Sequence, residues 1–91
     1  MTPFCMHGFV SGRVQGVWYR GFVKNQASAQ RLTGWAKNLA DGRVEVLLCG
    51  ERQAVEAVVA SLSTGSPMAR VDRVDMQVSD DFPVAPNFQV L

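Results

Sequence analysis

Nine residues near the start of the chain, Gly12-Arg13-Val14-Gln15-Gly16-Val17-Trp18-Tyr19-Arg20, combine the backbone freedom and the charge that anion binding needs. Glycine lets the backbone bend so that consecutive N–H groups point into one hollow. The residues that follow read as the first turn of a helix, whose N-terminus adds unpaired N–H donors and a favourable field for negative charge. Arg20 then offers a planar fork of donors matched to phosphate oxygens. The candidate phosphate-binding residues are therefore Gln15, Gly16, Val17, Trp18, Tyr19 and Arg20, all through their main-chain N–H groups and Arg20 through its guanidinium as well. Eighteen residues beyond Arg20, Asn38 carries an acceptor and a donor on one side chain, so it can orient a water without titrating. Each feature alone has a plainer reading. A Gly-x-x-x-Gly loop before a helix is more often a tight turn than an anion site, and Asn beside a turn is by default a turn-former.

Whether the two act together depends on the elements that carry them. Cys5 to Val14 has strand character, with Met6, Gly8 and Val10 on one face. A helix is expected from about Tyr19 to Arg31, on a thin stripe of Tyr19, Phe22, Val23, Ala27 and Leu32. Trp35 to Asn38 reads as a short strand, and Ala40-Asp41-Gly42 as a hairpin turn. Arg43 to Cys49 alternates, with Val44, Val46 and Leu48 on one face. Glu51 to Ser63 carries Ala54, Val55, Val58, Val59 and Leu62 on one face of a 3.6-residue period, stopped by Thr64-Gly65-Ser66-Pro67 with Gly65 as a left-handed cap. Ala69 to Val78 is a strand whose phase slips between Val71 and Val74, as at a bulge. A polar connector, Ser79 to Pro86, leads to a last short strand through Phe88 and Val90.

Strand, helix, strand, strand, helix, strand is the order of a split βαβ, ferredoxin-like α+β sandwich once crossovers are right-handed. Two helices would cover one face of an antiparallel sheet, with a short extra C-terminal strand. The other face would be more open, carrying His7, Arg43 and Glu45, with His7 a solvated strand residue. In that topology the first strand ends where the helix bearing Arg20 begins, and the second strand returns to the same edge at Asn38. The fold thus brings the two candidates together.

The first run, with Gly34-Trp35-Ala36-Lys37-Asn38-Leu39-Ala40-Asp41-Gly42-Arg43-Val44-Glu45-Val46, strongly resembles the acylphosphatase family. Its pattern is Gly-x-Val-Gln-Gly-Val-x-aromatic-Arg followed by Gly-aromatic-x-x-Asn-x-x-Asp-Gly-x-Val-Glu, and the resemblance runs from about residue 5 to the C-terminus. It implies the same fold and the hydrolysis of a small-molecule acyl phosphate to a carboxylate and inorganic phosphate. It also implies the catalytic residues: Arg20 binding the phosphate and Asn38 positioning the attacking water, with no cofactor and no metal, and proton uptake by the substrate phosphate. The leaving carboxylate is a good one, so holding the phosphoryl group and aiming a water is the work that remains. The motifs grip the phosphate and leave the acyl group unspecified. Gln30 and Arg31 depart from an apolar residue and a glycine common in the family, so that helix end is expected to fray or extend. Leu39 stands where some members have threonine. Trp18 occupies a variable position and reads as a pocket wall, Tyr19 as core.

Ninety-one residues suggest one domain, 1–91, and 47% apolar with 19% charged residues is ordinary for a globular protein. A net charge of +1 counts against a broad nucleic-acid surface. No apolar run nears the roughly 20 residues of a membrane span, and Met1 to Val10 lacks a secretory pattern, so a cytoplasmic monomer without a membrane partner is expected. Cytosolic Cys5 and Cys49 are by default free thiols. The predicted register, however, places them on adjacent antiparallel strands at the edge away from Arg20, both facing the open side, so a disulfide is the alternative. Rival functions of this fold fit less well. Arg20-Gly21-Phe22-Val23 echoes an RNA-recognition motif but begins a helix rather than lying on a central strand. A metal chaperone would need a Cys-x-x-Cys that the chain lacks. Acylphosphatase-like domains inside larger maturation proteins are a further variant, and a free-standing chain favours the simple enzyme. The alternative to an enzyme is a non-catalytic anion-binding module built on the same loop.

Overall fold

The structure is a computed structural model and describes residues 3–81, 83 and 85–91. Its elements run β1 (Phe4–Arg13), α1 (Tyr19–Ala29), β2 (Thr33–Asn38), β3 (Val44–Gly50), α2 (Arg52–Ser61), β4 (Arg70–Ser79) and β5 (Phe88–Val90). The sheet order is β4-β1-β3-β2-β5. The first four strands pair antiparallel and β5 adds in parallel to β2, so the sheet is mixed. This is the α+β ferredoxin-like arrangement, with its extra strand at the edge beside β2. The expected connector over residues 79–86 and the N-terminal stretch from Met1 lie partly outside the described residues.

Alternation decides which side chains meet the helices. Val10, Val44, Val46, Leu48 and Ala36 form the sheet side of the core and are buried. From α1 come Tyr19, Val23 and Ala27, and from α2 Val55, Val58 and, one residue past its end, Leu62. Each Val or Leu removed from water contributes roughly 1.5–3 kcal/mol toward holding the layers together. At Gly34, where φ is +129°, a β-carbon would fall on the Leu47 carbonyl oxygen. Only glycine lets β2 pass β3 so closely there. The phase slip in β4 is a bulge: Ser11 pairs with Arg73 and Gly12 with Val71, leaving Asp72 between them.

The opposite sheet face is less open than the sequence suggested. Cys5, Leu47 and Cys49 form a second buried cluster there, with Trp35 against it. Cys5 and Cys49 are direct register partners, Cα atoms 4.1 Å apart, and are joined in a disulfide. His7 is paired rather than simply solvated: its Nε2 lies 2.7 Å from Glu45 Oε2, and its ring meets Phe9 and Trp35 edge-on.

The end of α1 also corrects the expectation of fraying or extension. Leu32 N–H donates to the Ala27 carbonyl and Arg31 N–H to that of Ser28, a double closure known as a Schellman motif. Arg31 takes the left-handed conformation, φ +58°, that glycine would normally fill. Buried Leu32 anchors the chain just beyond and holds Arg31 there.

Candidate active site

β1 ends at Arg13, α1 begins at Tyr19, and between them two residues of left-handed φ, Gly16 (+74°) and Trp18 (+65°), flank Val17. Such alternation of hand turns successive N–H groups to one side. Trp18 is the N-cap of α1, in place of the Ser, Thr, Asp or Asn that would turn an oxygen onto the first N–H groups, and it makes no side-chain cap bond. The first turn carries no acidic residue either. Among the described residues no main-chain acceptor meets the N–H groups of residues 15–18. The loop and helix start therefore present a cluster of donors with nothing of the chain's own to donate to.

Three contacts fix that cluster. Ser66, buried at 3% exposure, donates its hydroxyl hydrogen to the Val17 carbonyl at 2.6 Å. Tyr19 donates its hydroxyl hydrogen to the Leu62 carbonyl at 2.7 Å, and burial pushes its phenol pKa upward, so the group stays a neutral donor. Gln15 reaches the other motif: its Nε2 donates to the carbonyls of Leu39 (2.7 Å) and Arg43 (3.0 Å). That amide clamps the loop to the β2–β3 hairpin immediately after Asn38. Asp41 holds the hairpin turn, accepting from the Arg43 N–H and then from its guanidinium, and both bonds lower its pKa from 3.8.

A cleft of about 570 Å³ opens beside the loop, lined by residues that include Gly16, Trp18, Tyr19, Arg20 and, from β5, Val90. Arg20 Nη1 donates to the Leu91 main-chain oxygen at 2.6 Å, and Leu91 N–H in turn donates to the Ala36 carbonyl at 2.9 Å. The arginine is thereby tied to β2 two residues before Asn38, with the rest of its fork uncommitted. Asn38 Oδ1 is buried and meets no donor among the described residues.

Of the residues proposed from sequence, Gly16, Trp18, Tyr19 and Arg20 line the cleft. Gln15 and Val17 do not: the Gln15 side chain turns to the hairpin and the Val17 side chain is buried. Asn38 is also outside the lining, but it sits at the same sheet edge, joined to the loop through Gln15 and to Arg20 through Leu91. Trp18 forms a wall as expected, its indole lying over Gly21, where a β-carbon would come within 2.5 Å of it. Sequence reasoning missed three positions. Ser66 read as one of several turn-forming residues, the Gln15 side chain was passed over for its N–H, and Leu91 contributes main-chain atoms that no residue type announces. The disulfide lies away from this edge, in a different cluster.

Among the described residues no group of three or more His, Cys, Asp or Glu side chains is placed to hold a metal. No helix there is long and apolar enough to cross a membrane.

The sequence model of the acylphosphatase family matches residues 6–90. An acylphosphatase of Chromohalobacter salexigens is 49% identical over 83 residues, which cover 91% of this chain and 92% of that one. An acylphosphatase structure from Coxiella burnetii superposes with a TM-score of 0.88 at 38% identity, covering 99% of this chain and 94% of the other. That of acylphosphatase from Bacillus subtilis gives 0.87 at 35% identity, with 100% and 99% covered. Uncapped donors beside an arginine, a buried amide oxygen across the same edge and near full-length likeness in sequence and backbone lead to one conclusion: the chain belongs to the acylphosphatase family.

Proposed function

We propose that Arg20 and the main-chain N–H groups of residues 15–20 bind the phosphoryl group, and that Asn38 orients the attacking water. The reaction is the one family membership gives this chain: hydrolysis of the carboxyl–phosphate bond of an acyl phosphate to a carboxylate and inorganic phosphate. The observation that carries the reading is the uncapped start of α1, whose donors and arginine converge on one cleft.

In this reading the equatorial oxygens of the phosphoryl group take the place of the missing cap. Their charge spreads as the bond to the leaving carboxylate lengthens, and donors already fixed by Ser66 and Gln15 need not reorganise to meet it. The unpartnered Asn38 oxygen accepts one hydrogen of a water and turns its lone pair toward phosphorus. The water oxygen bonds to phosphorus in line, the phosphorus–acyl oxygen bond breaks, the carboxylate departs with the pair, and the water's proton passes to a phosphate oxygen. No metal enters any step. The chain acts in this reading as one domain, 1–91, monomeric and cytoplasmic.

Benzoyl phosphate hydrolysis in the presence of a chelator tests the roles. Arg20→Ala is expected to lower kcat/KM about 10³-fold, and Asn38→Ala to lower kcat about 10²-fold, with circular dichroism unchanged. Turnover in either variant equal to wild type removes that residue from the mechanism. No turnover in folded wild type leaves the loop a non-catalytic anion-binding site.

A further inference from the structure

One side chain joins the loop after β1 to the hairpin after β2. Gln15 is half-buried, and its Nε2 spends both hydrogens there, on the Leu39 carbonyl at 2.7 Å and the Arg43 carbonyl at 3.0 Å. Both partners are pure acceptors, so only the nitrogen end of the amide can face them. Among the described residues no other hydrogen bond joins the loop over residues 14–18 to the hairpin over 39–43. The same two carbonyls close the hairpin itself: Leu39 N–H donates to that of Arg43 at 2.8 Å, and Gly42 N–H to that of Leu39 at 3.2 Å. Asn38 is the last residue of β2 and pairs with Val44 of β3 just before this closure. The amide thus grips the chain one residue beyond Asn38 and one residue before its partner.

We infer that the Gln15 side chain is a positioning residue for the hydrolysis, holding Asn38 Oδ1 at a set distance from the phosphoryl group on the loop. This rests on the roles proposed above for the loop and for Asn38. Each half has its own support without that side chain. Ser66 holds the Val17 peptide, and strand pairing holds Asn38 in the sheet. What the amide adds is their separation, on which the line from water oxygen to phosphorus depends. A misplacement of about 1 Å costs up to about 10²-fold in rate. With both of its hydrogens on carbonyls, the Gln15 amide has none left for the phosphate, and it acts through Asn38 alone.

A double-mutant cycle on benzoyl phosphate hydrolysis reads this directly. Gln15→Met keeps the length and removes the donors, and both carbonyls retain a main-chain N–H, so the fold is expected to stand. In this variant kcat is expected to fall about 10-fold, with KM and the inhibition constant of inorganic phosphate within roughly 2-fold of wild type. In an Asn38→Ala background the same change is expected to cost less than about 2-fold, because no aimed water is left to misplace. Gln15→Glu has the same length and no donor, is expected to lose at least as much in kcat, and carries the test should the methionine variant fail to fold. An unchanged kcat, a loss confined to phosphate binding, or an equal loss in both backgrounds overturns the inference while the role of Asn38 stands. Wild-type turnover in Asn38→Ala alone overturns both.

Discussion

In the proposed site Ser66 acts on the loop through the Val17 carbonyl alone. A peptide group is planar, with its carbonyl and the following N–H on opposite sides. By drawing the Val17 carbonyl to one side, the Ser66 hydroxyl turns the Trp18 N–H to the other. In Ser66→Ala a buried carbonyl loses its donor, which costs about 1–3 kcal/mol of stability. The peptide is then free to tilt, and kcat/KM for benzoyl phosphate is expected to fall between roughly 10-fold and 100-fold. Inorganic phosphate should also raise the melting temperature of this variant less than that of wild type, and an equal rise would remove Ser66 from the site. At this scale the sequence was legible where residue type limits the choices. The sequence placed Gly16, Trp18, Tyr19 and Arg20 together, and they line one cleft, with Asn38 at the same sheet edge. Ser66 was not legible, because a hydroxyl in a Gly-Ser-Pro turn has an ordinary local use, and its real partner is distant in the chain.

The elements follow hydrophobic period, and their ends follow something else. α2 and β3 were readable because Val55, Val58 and Leu62, or Val44, Val46 and Leu48, each mark one buried face. The end of α1 was not, because it depends on Leu32 entering the core and pulling Arg31 into a left-handed turn. That conformation costs a residue with a β-carbon roughly 1–2 kcal/mol, which glycine avoids at the expense of greater freedom when unfolded. Arg31→Gly is therefore expected to stabilise the protein by about 0.5–1 kcal/mol in urea unfolding at unchanged slope. A loss of stability would mean that the Arg31 side chain makes contacts that outweigh the strain. The parallel pairing of β5 with β2 was equally out of reach, since three residues carry no signal of strand direction.

Across the whole molecule, topology was the most legible feature: seven elements in order admit few right-handed arrangements, and the one adopted carries Arg20 and Asn38 to a common edge. The same register decided the cysteines, which sequence alone left between two states, by setting Cys5 opposite Cys49. Joining residues 44 apart restricts the unfolded chain, by about 4 kcal/mol in the entropic account. The double variant Cys5→Ala/Cys49→Ala is accordingly expected to lose about 2–4 kcal/mol, with kcat/KM for benzoyl phosphate close to wild type because the bridge sits at the other end of the strands. A large loss of activity at unchanged fold would tie the bridge to the edge that carries Arg20 and Asn38. Both cysteines are shut away from water, at 2% and 0% exposure. A reducing thiol can reach the bond only in those moments when β1 and β3 part at that end. In reducing surroundings the lifetime of the bridge is then governed by how often two paired strands breathe open as much as by the reductant itself.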